Sequence, residues 1–160
     1  MDTIDREKAA RVWQRVRGEN NAMPTPSPVP QADFAQMLTA LIAEELVDAT
    51  TYLHLSRHFQ GQHSAALRRM YEQEQAHSAC LKGIYTLITG NRPNVRAVQP
   101  ELSDPETVLR RCYGREMRSL AEYEARSSDP HYGQVFARLA QQEQEHCSKI
   151  LELLGSFKKK

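Results

Sequence analysis

The chain has 160 residues, with 21 lysines and arginines against 20 aspartates and glutamates, which gives a net charge of +1. Hydrophobic residues make up 40% and charged residues 26%, proportions that are ordinary for one globular domain and too apolar for a disordered chain. The balanced charge excludes the basic footprint of a protein that binds nucleic acid or an anionic membrane surface, and no apolar run approaches the roughly 20 residues needed to cross a bilayer.

The N-terminal residues and the cysteines predict a cytoplasmic protein. The first eight residues mix acidic and basic side chains with no apolar stretch behind them, so we expect no secretory signal. The three cysteines, Cys80, Cys112 and Cys147, are separated by long gaps. They form neither a disulfide framework nor a C-x-x-C motif, which suits a reducing compartment.

The N-terminal part differs in composition from the rest of the chain. The pattern of residues 3–17 predicts a short amphipathic helix. Proline occupies every second position from 24 to 30, which predicts a stiff, extended linker. We therefore divide the chain into residues 1–30 and a main domain over residues 31–160. The helix either docks Trp13 onto the domain or a neighbouring subunit, or serves as a tether that recruits a partner.

The main domain predicts four long helices and an all-α fold. Four proline-free stretches carry apolar residues at three- and four-residue spacing, and no strand pattern interrupts them. Asp104-Pro105 and Asp129-Pro130 are typical of helix starts, and Gly90 suits the end of the second helix. The stretches cover about 31–59, 65–88, 105–126 and 130–157.

Short turns at 61–64 and 127–130 predict two antiparallel helical hairpins. The 13 residues between the hairpins, Asn91 to Ser103, reach roughly 43 Å when extended. This matches the roughly 40 Å length of a helix of about 27 residues, so the linker predicts one long crossover along a four-helix bundle. The alternative is a loose loop between hairpins that pack in another way.

The second and fourth stretches repeat a pair of residues that can bind metal ions. Each contains a Glu-x-x-His motif, Glu74 with His77 and Glu143 with His146, and the two motifs lie 69 residues apart. Three-residue spacing places the carboxylate and the imidazole of each motif one turn apart on a single helix face.

The first and third stretches each carry a glutamate followed seven residues later by a tyrosine, Glu45 with Tyr52 and Glu116 with Tyr123. Residues at equal distances from a tight turn lie at the same height in an antiparallel hairpin. The two hairpins therefore predict one inward-facing layer of four carboxylates and two imidazoles. Glu44 is the alternative to Glu45, and the repeated seven-residue step to tyrosine favours Glu45. The two tyrosines are either partners of this layer or plain core aromatics.

Such a layer needs positive charge to be stable. An isolated buried carboxylate costs several kcal/mol even after the protein relaxes, whereas two divalent cations balance four glutamates and leave the imidazoles neutral. Oxygen and nitrogen ligands without thiolate favour iron or manganese over structural zinc. We predict two iron ions per chain, with manganese or zinc as substitutes; the alternative is a metal-free bundle with a polar seam.

These motifs resemble the ferritin-like superfamily, and within it the rubrerythrin-type di-iron domain, over about residues 34–155. The resemblance implies a ferritin-like four-helix bundle with a non-haem di-iron site that is oxidised by dioxygen or hydrogen peroxide. It implies that Glu74 and Glu143 bridge the metals, that Glu45 and Glu116 are terminal or shifting ligands, and that each histidine binds one metal. The implied residues are the metal ligands Glu45, Glu74, His77, Glu116, Glu143 and His146 and the hydrogen-bond donors Tyr52 and Tyr123, which orient the carboxylates.

The chain departs from the rubrerythrin pattern in two ways. It lacks the paired C-x-x-C motifs of a rubredoxin module, so electrons must come from a separate donor. Rubrerythrins also often carry a glutamate three residues beyond the ligand of the third helix, where this chain has Ser119. Its counterpart in the first helix, Asp48, is either an extra ligand or an acid near the site.

The expected function is that of an oxidoreductase that reduces hydrogen peroxide or dioxygen in defence against oxidative stress. One alternative is a ferroxidase that binds, oxidises and passes on iron. The other is a non-catalytic, metal-stabilised bundle that binds a partner through residues 1–30. A two-fold homodimer is the expectation from the base rates of oligomers.

Overall fold

The computed structural model describes residues 31–96 and 98–157. Within these residues the chain forms four helices and no strand, which confirms the all-α prediction, and none of the four is long and apolar enough to cross a membrane. The predicted N-terminal helix and proline-rich linker, residues 1–30, lie outside the described residues. The helices are α1 (Gln31–Leu55), α2 (Gly61–Thr89), α3 (Pro105–Ala125) and α4 (Gly133–Phe157).

Two predicted helix boundaries are confirmed by their backbone chemistry. Asp104 caps α3, because its Oδ1 accepts a hydrogen bond from the N–H of Thr107 at 2.9 Å, and Pro105 follows it. At the other boundary Gly90 caps the end of α2; its φ of 72° is left-handed, and its N–H donates to the carbonyl of Thr86. The ends of the connection between the hairpins are therefore set by local sequence.

The connection between α1 and α2 lies earlier than predicted. Helix α1 ends at Leu55, and α2 already begins at Gly61, so the prediction of a turn at 61–64 is wrong. The chain turns over residues 56–60 instead, and Gly61, with a left-handed φ of 56°, starts α2 so that the polar residues after it form the first helical turn. The hydroxyl of Ser64 donates to the carbonyl of Ser56 at 2.7 Å and ties the two helices together.

The connection between α3 and α4 depends on an aspartate and a glycine. The Oδ1 of Asp129 accepts hydrogen bonds from the N–H groups of His131 and Tyr132, and α4 begins at Gly133 rather than at the predicted position 130. The chain passes so close to itself here that a Cβ on Gly133 would lie 2.5 Å from the carbonyl oxygen of Ser127. Only glycine fits at this position.

The apolar core consists of two clusters at opposite ends of the bundle. Helices α1 and α2 pack against each other, as do α3 and α4, and the hairpins meet through α1 with α3 and α2 with α4. The first cluster joins the starts of α1 and α4 to the ends of α2 and α3, and the second joins the opposite ends. Representative members are Leu38, Ile42, Leu81 and Phe136 in the first cluster and Leu55, Leu67, Leu109 and Ile150 in the second.

The two clusters give the direction of each helix. Helix α2 ends at the first cluster, through Leu81 and Ile84, whereas α3 begins at the second cluster, through Val108 and Leu109. The connection from Gly90 to Asp104 therefore joins opposite ends of the bundle, as the long-crossover interpretation requires. Neighbouring helices run antiparallel, so residues at the middle of each helix lie at one height.

We predict that Gly133→Ala lowers the free energy of unfolding by about 1–3 kcal/mol, because the new methyl group would overlap the backbone of Ser127. Denaturant unfolding of the full chain measures this change. Gly155→Ala is the matched control in the same helix, where an added Cβ meets nothing within 4 Å. We expect the control to preserve stability or to raise it by up to about 1 kcal/mol. Equal stability of the two variants would contradict the close approach at Gly133.

Candidate metal centre

A buried polar layer, to which all four helices contribute, separates the two apolar clusters. In each helix its residues lie between members of one cluster and members of the other. The structure brings together the six side chains that the sequence analysis selected, and none is more than 2% exposed. They are Glu45, Glu74, His77, Glu116, Glu143 and His146.

One half of the layer surrounds the imidazole of His77. Its Nδ1 lies 3.2 Å from a carboxylate oxygen of Glu45 and 3.2 Å from one of Glu74. An oxygen of Glu143 lies 3.1 Å from the same nitrogen. These four residues, from α1, α2 and α4, offer ligand atoms that all lie within 4.8 Å of one another, a group that can hold a metal ion.

The other half surrounds the imidazole of His146. Its Nδ1 lies 2.8 Å from an oxygen of Glu74 and 3.2 Å from one of Glu143, and Glu116 lies at 3.6 Å. These residues form a second group with the same spacing of ligand atoms. Glu74 and Glu143 belong to both groups, whereas Glu45 and Glu116 each belong to one. The arrangement is two four-residue groups that share two carboxylates.

The four carboxyl groups divide into two kinds in the metal-free chain. Burial, together with the contact to a neighbouring glutamate, raises the pKa of Glu45 and of Glu116 well above the usual range. Burial also acts to raise the pKa of Glu74 and Glu143, but hydrogen bonds outweigh it and lower both values. Glu74 is hydrogen-bonded by Glu45 and by both histidines, and Glu143 is hydrogen-bonded by Glu116 and by both histidines. The layer thus pairs each carboxylic acid with a carboxylate.

The two imidazoles supply the positive charge in the metal-free chain. Burial opposes protonation, but the surrounding carboxylates outweigh it. They raise the pKa of His146 to about 12 and that of His77 well above its usual range, with Glu116 and Glu143 respectively as the strongest partners. Two imidazoliums then balance two carboxylates. Two divalent cations would balance all four carboxylates in the same volume, with the imidazoles neutral.

The donor atoms of the layer fit metal ions. Among the described residues, Oε1 of Glu74 and Oε1 of Glu143 are buried and accept no well-aligned hydrogen bond, although they lie 2.8 Å from Nδ1 of His146 and 3.1 Å from Nδ1 of His77 respectively. A buried oxygen without a donor costs about 1–3 kcal/mol, and a cation would remove that cost. The two unpartnered atoms belong to the carboxylates that the two groups share. Oxygen and imidazole nitrogen without thiolate are ligands typical of iron and manganese.

The two tyrosines hold the glutamates that belong to one group each. The hydroxyl of Tyr52 donates to Oε1 of Glu116, and the hydroxyl of Tyr123 donates to Oε1 of Glu45. Both rings are fully buried. Each bond crosses between α1 and α3, so each tyrosine orients a carboxylate of the opposite hairpin and not the glutamate of its own helix.

Asp48 is buried beside the layer but belongs to neither group. The Nε of Arg115 donates to its Oδ1 at 2.7 Å, and burial raises the pKa of Asp48 to about 7 against the opposing effect of the guanidinium. Arg115 therefore engages the acid that the sequence analysis considered as an extra ligand. The counterpart position, Ser119, is also buried, and Glu44, the alternative to Glu45, is half-buried and lines a surface cleft.

Two glutamines that the sequence analysis overlooked complete the layer. The Nε2 of His77 lies 3.0 Å from Oε1 of Gln142, and the Nε2 of His146 lies 3.1 Å from Oε1 of Gln73. Each glutamine directly precedes the glutamate of a Glu-x-x-His motif, so the repeated unit is Gln-Glu-Gln-x-His at 73–77 and 142–146. The longer repeat was visible in the sequence, but only the pairing of the helices shows which histidine each glutamine meets.

We predict that Tyr123→Phe lowers the free energy of unfolding of the metal-free chain by about 1–2 kcal/mol, because the buried carboxyl of Glu45 loses its donor. Thermal or denaturant unfolding measures the change. Tyr113→Phe is the control, since this half-buried tyrosine packs against the second cluster and away from the glutamate. If both variants lose the same stability, the hydroxyl of Tyr123 does not hold Glu45.

Comparison with protein-family models, with curated proteins and with solved structures finds no match. The function must therefore be inferred from the residues of the layer themselves. What those residues establish is a buried group of four carboxyls and two imidazoles that can hold metal ions.

Proposed function

We propose that the chain is a ferritin-like, non-haem di-iron carboxylate protein. The observation that carries the proposal is the pair of four-residue groups that share Glu74 and Glu143. Glu74 and Glu143 would be the ligands common to both ions. Glu45 with His77 would complete the ligand set of one ion, and Glu116 with His146 that of the other. The antiparallel hairpins and the long connection between them support the ferritin-like assignment.

The chemistry of the donors supports iron. Four carboxylates and two imidazoles suit iron or manganese, and thiolates, which would favour zinc, are missing from both groups. Cys147 follows His146 in the sequence, but burial raises the pKa of its thiol to about 11, so it stays protonated. Manganese or zinc can take the same ligands.

The activity that we propose is the reduction of hydrogen peroxide or dioxygen. A bound ferrous pair would supply two electrons, which together with two protons reduce hydrogen peroxide to two waters or dioxygen to hydrogen peroxide. The residues of the chain hold the site in shape for this: the tyrosines fix Glu45 and Glu116, and the two apolar clusters close both ends of the layer to water. The electrons return from a separate donor, because the sequence lacks a rubredoxin-like cysteine motif.

The second candidate function is a ferroxidase that binds, oxidises and passes on iron. The pairing of Asp48 with Arg115, together with serine at position 119, favours it, because neither position adds a carboxylate to the six-ligand set. A metal-stabilised bundle that binds a partner through residues 1–30 stays a prediction. The cytoplasmic location and the homodimer also stay predictions.

We predict that the full chain binds two ferrous ions and that Glu143→Gln abolishes stoichiometric binding, because both ions lose a shared ligand. Anaerobic loading, desalting and elemental analysis measure the iron content per chain. Glu145→Gln is the control, since Glu145 lies two residues away in the same helix and is exposed. A Glu143→Gln protein that retains two irons would contradict the proposed ligand set.

The choice between the two activities can be tested by stopped-flow mixing of the anaerobic ferrous protein with peroxide or with dioxygen. Faster oxidation by peroxide is the result that we predict for the oxidoreductase. Uptake of many irons per chain, with oxidation by dioxygen, would favour the ferroxidase. Bound iron that reacts with neither oxidant would contradict both activities and leave a structural metal.

A further inference from the structure

The outer nitrogen of each histidine in the layer meets a glutamine of the partner helix. Gln142 on α4 faces Nε2 of His77 on α2, and Gln73 on α2 faces Nε2 of His146 on α4, with the amide oxygen 3.0 and 3.1 Å away. Both glutamines are half-buried. The two contacts are reciprocal, so each hairpin supplies the group that orients the histidine of the other.

The partner of Nε2 decides which nitrogen can bind a metal ion. An amide oxygen only accepts hydrogen bonds, so it holds the imidazole with its proton on Nε2. The lone pair of a neutral imidazole then lies on Nδ1, the nitrogen that faces the shared carboxylates in both groups. A metal-bound histidine commonly needs such a partner to fix its tautomer and ring orientation.

The neutral charge of the amide matters as much as its position. A carboxylate in the place of either glutamine would add negative charge to a layer that already contains four carboxyl groups. An amide orients the imidazole without adding charge, so the full ligand set carries a charge that two divalent ions balance. The two other glutamines of the repeated motif, Gln75 and Gln144, are exposed and provide matched controls.

We propose that Gln73 and Gln142 are positioning residues that hold His146 and His77 in the tautomer with Nδ1 free to bind metal, and that their neutrality matches the site to divalent ions. The inference rests on the proposed di-metal function. It assigns to each glutamine a role toward one ion only, the ion bound by the histidine that it contacts.

The test uses Zn²⁺ as a diamagnetic probe with the full chain. Zinc titration gives the affinity, and long-range ¹H–¹⁵N spectra of histidine-labelled protein report the tautomer and the exchange of each Nε2 proton. We expect Gln142→Ala to weaken the binding of one of the two zinc ions by about 10–100-fold and to speed the exchange of the His77 Nε2 proton with solvent. We expect Gln144→Ala to stay within about twofold of the unmodified chain in both measurements.

Gln142→Glu separates positioning from general loss of structure. It restores an acceptor at Nε2, so the slow exchange of the His77 proton should return, while its added charge should shift the His77 ¹⁵N resonances. If Gln142→Ala matches Gln144→Ala in affinity and exchange, the role of the glutamine is overturned while the metal site stands. If the unmodified chain binds neither Zn²⁺ nor Fe²⁺, the proposed function itself fails, and this inference fails with it.

Discussion

The charges of the buried polar layer must balance one another, because the apolar clusters on either side keep water away from it. Six ionisable side chains lie between two apolar clusters, none more than 2% exposed, where water cannot neutralise them. In the metal-free chain, imidazoliums and shared protons provide the balance. Two oxygens of the shared glutamates still accept no well-aligned hydrogen bond among the described residues, although each lies close to an imidazole Nδ1. We infer that cations complete a layer that protons leave incomplete.

The two hairpins meet through polar bonds as well as through apolar packing. Tyrosines connect α1 and α3 crosswise, and glutamine–histidine pairs connect α2 and α4 crosswise, so each of these four contacts joins a residue of the layer to the opposite hairpin. One ion pair breaks this near-symmetry, since Asp48 and Arg115 occupy positions whose counterparts are Ser119 and Glu44.

The heights of the six side chains of the layer could be predicted from the sequence, because helical spacing and tight turns together determine which residues of a hairpin lie at the same height. The four helices and the caps at Asp104 and Gly90 followed from local propensity. The start of α2 did not, since the sequence does not show that the turn would lie at residues 56–60 and that Gly61 would begin the helix with a left-handed φ. The contact of Asp48 with Arg115 was also missed, because it crosses between helices far apart in the sequence.

Diffraction from crystals of the ferrous-loaded full chain, measured on both sides of the iron absorption edge, tests the central claim most directly. We expect two anomalous peaks inside the layer, about 3.5–4 Å apart, one beside Nδ1 of His77 and the other beside Nδ1 of His146. Both peaks should lie within bonding distance of Glu74 and Glu143. A layer without anomalous density, with iron bound only at exposed residues, would contradict it.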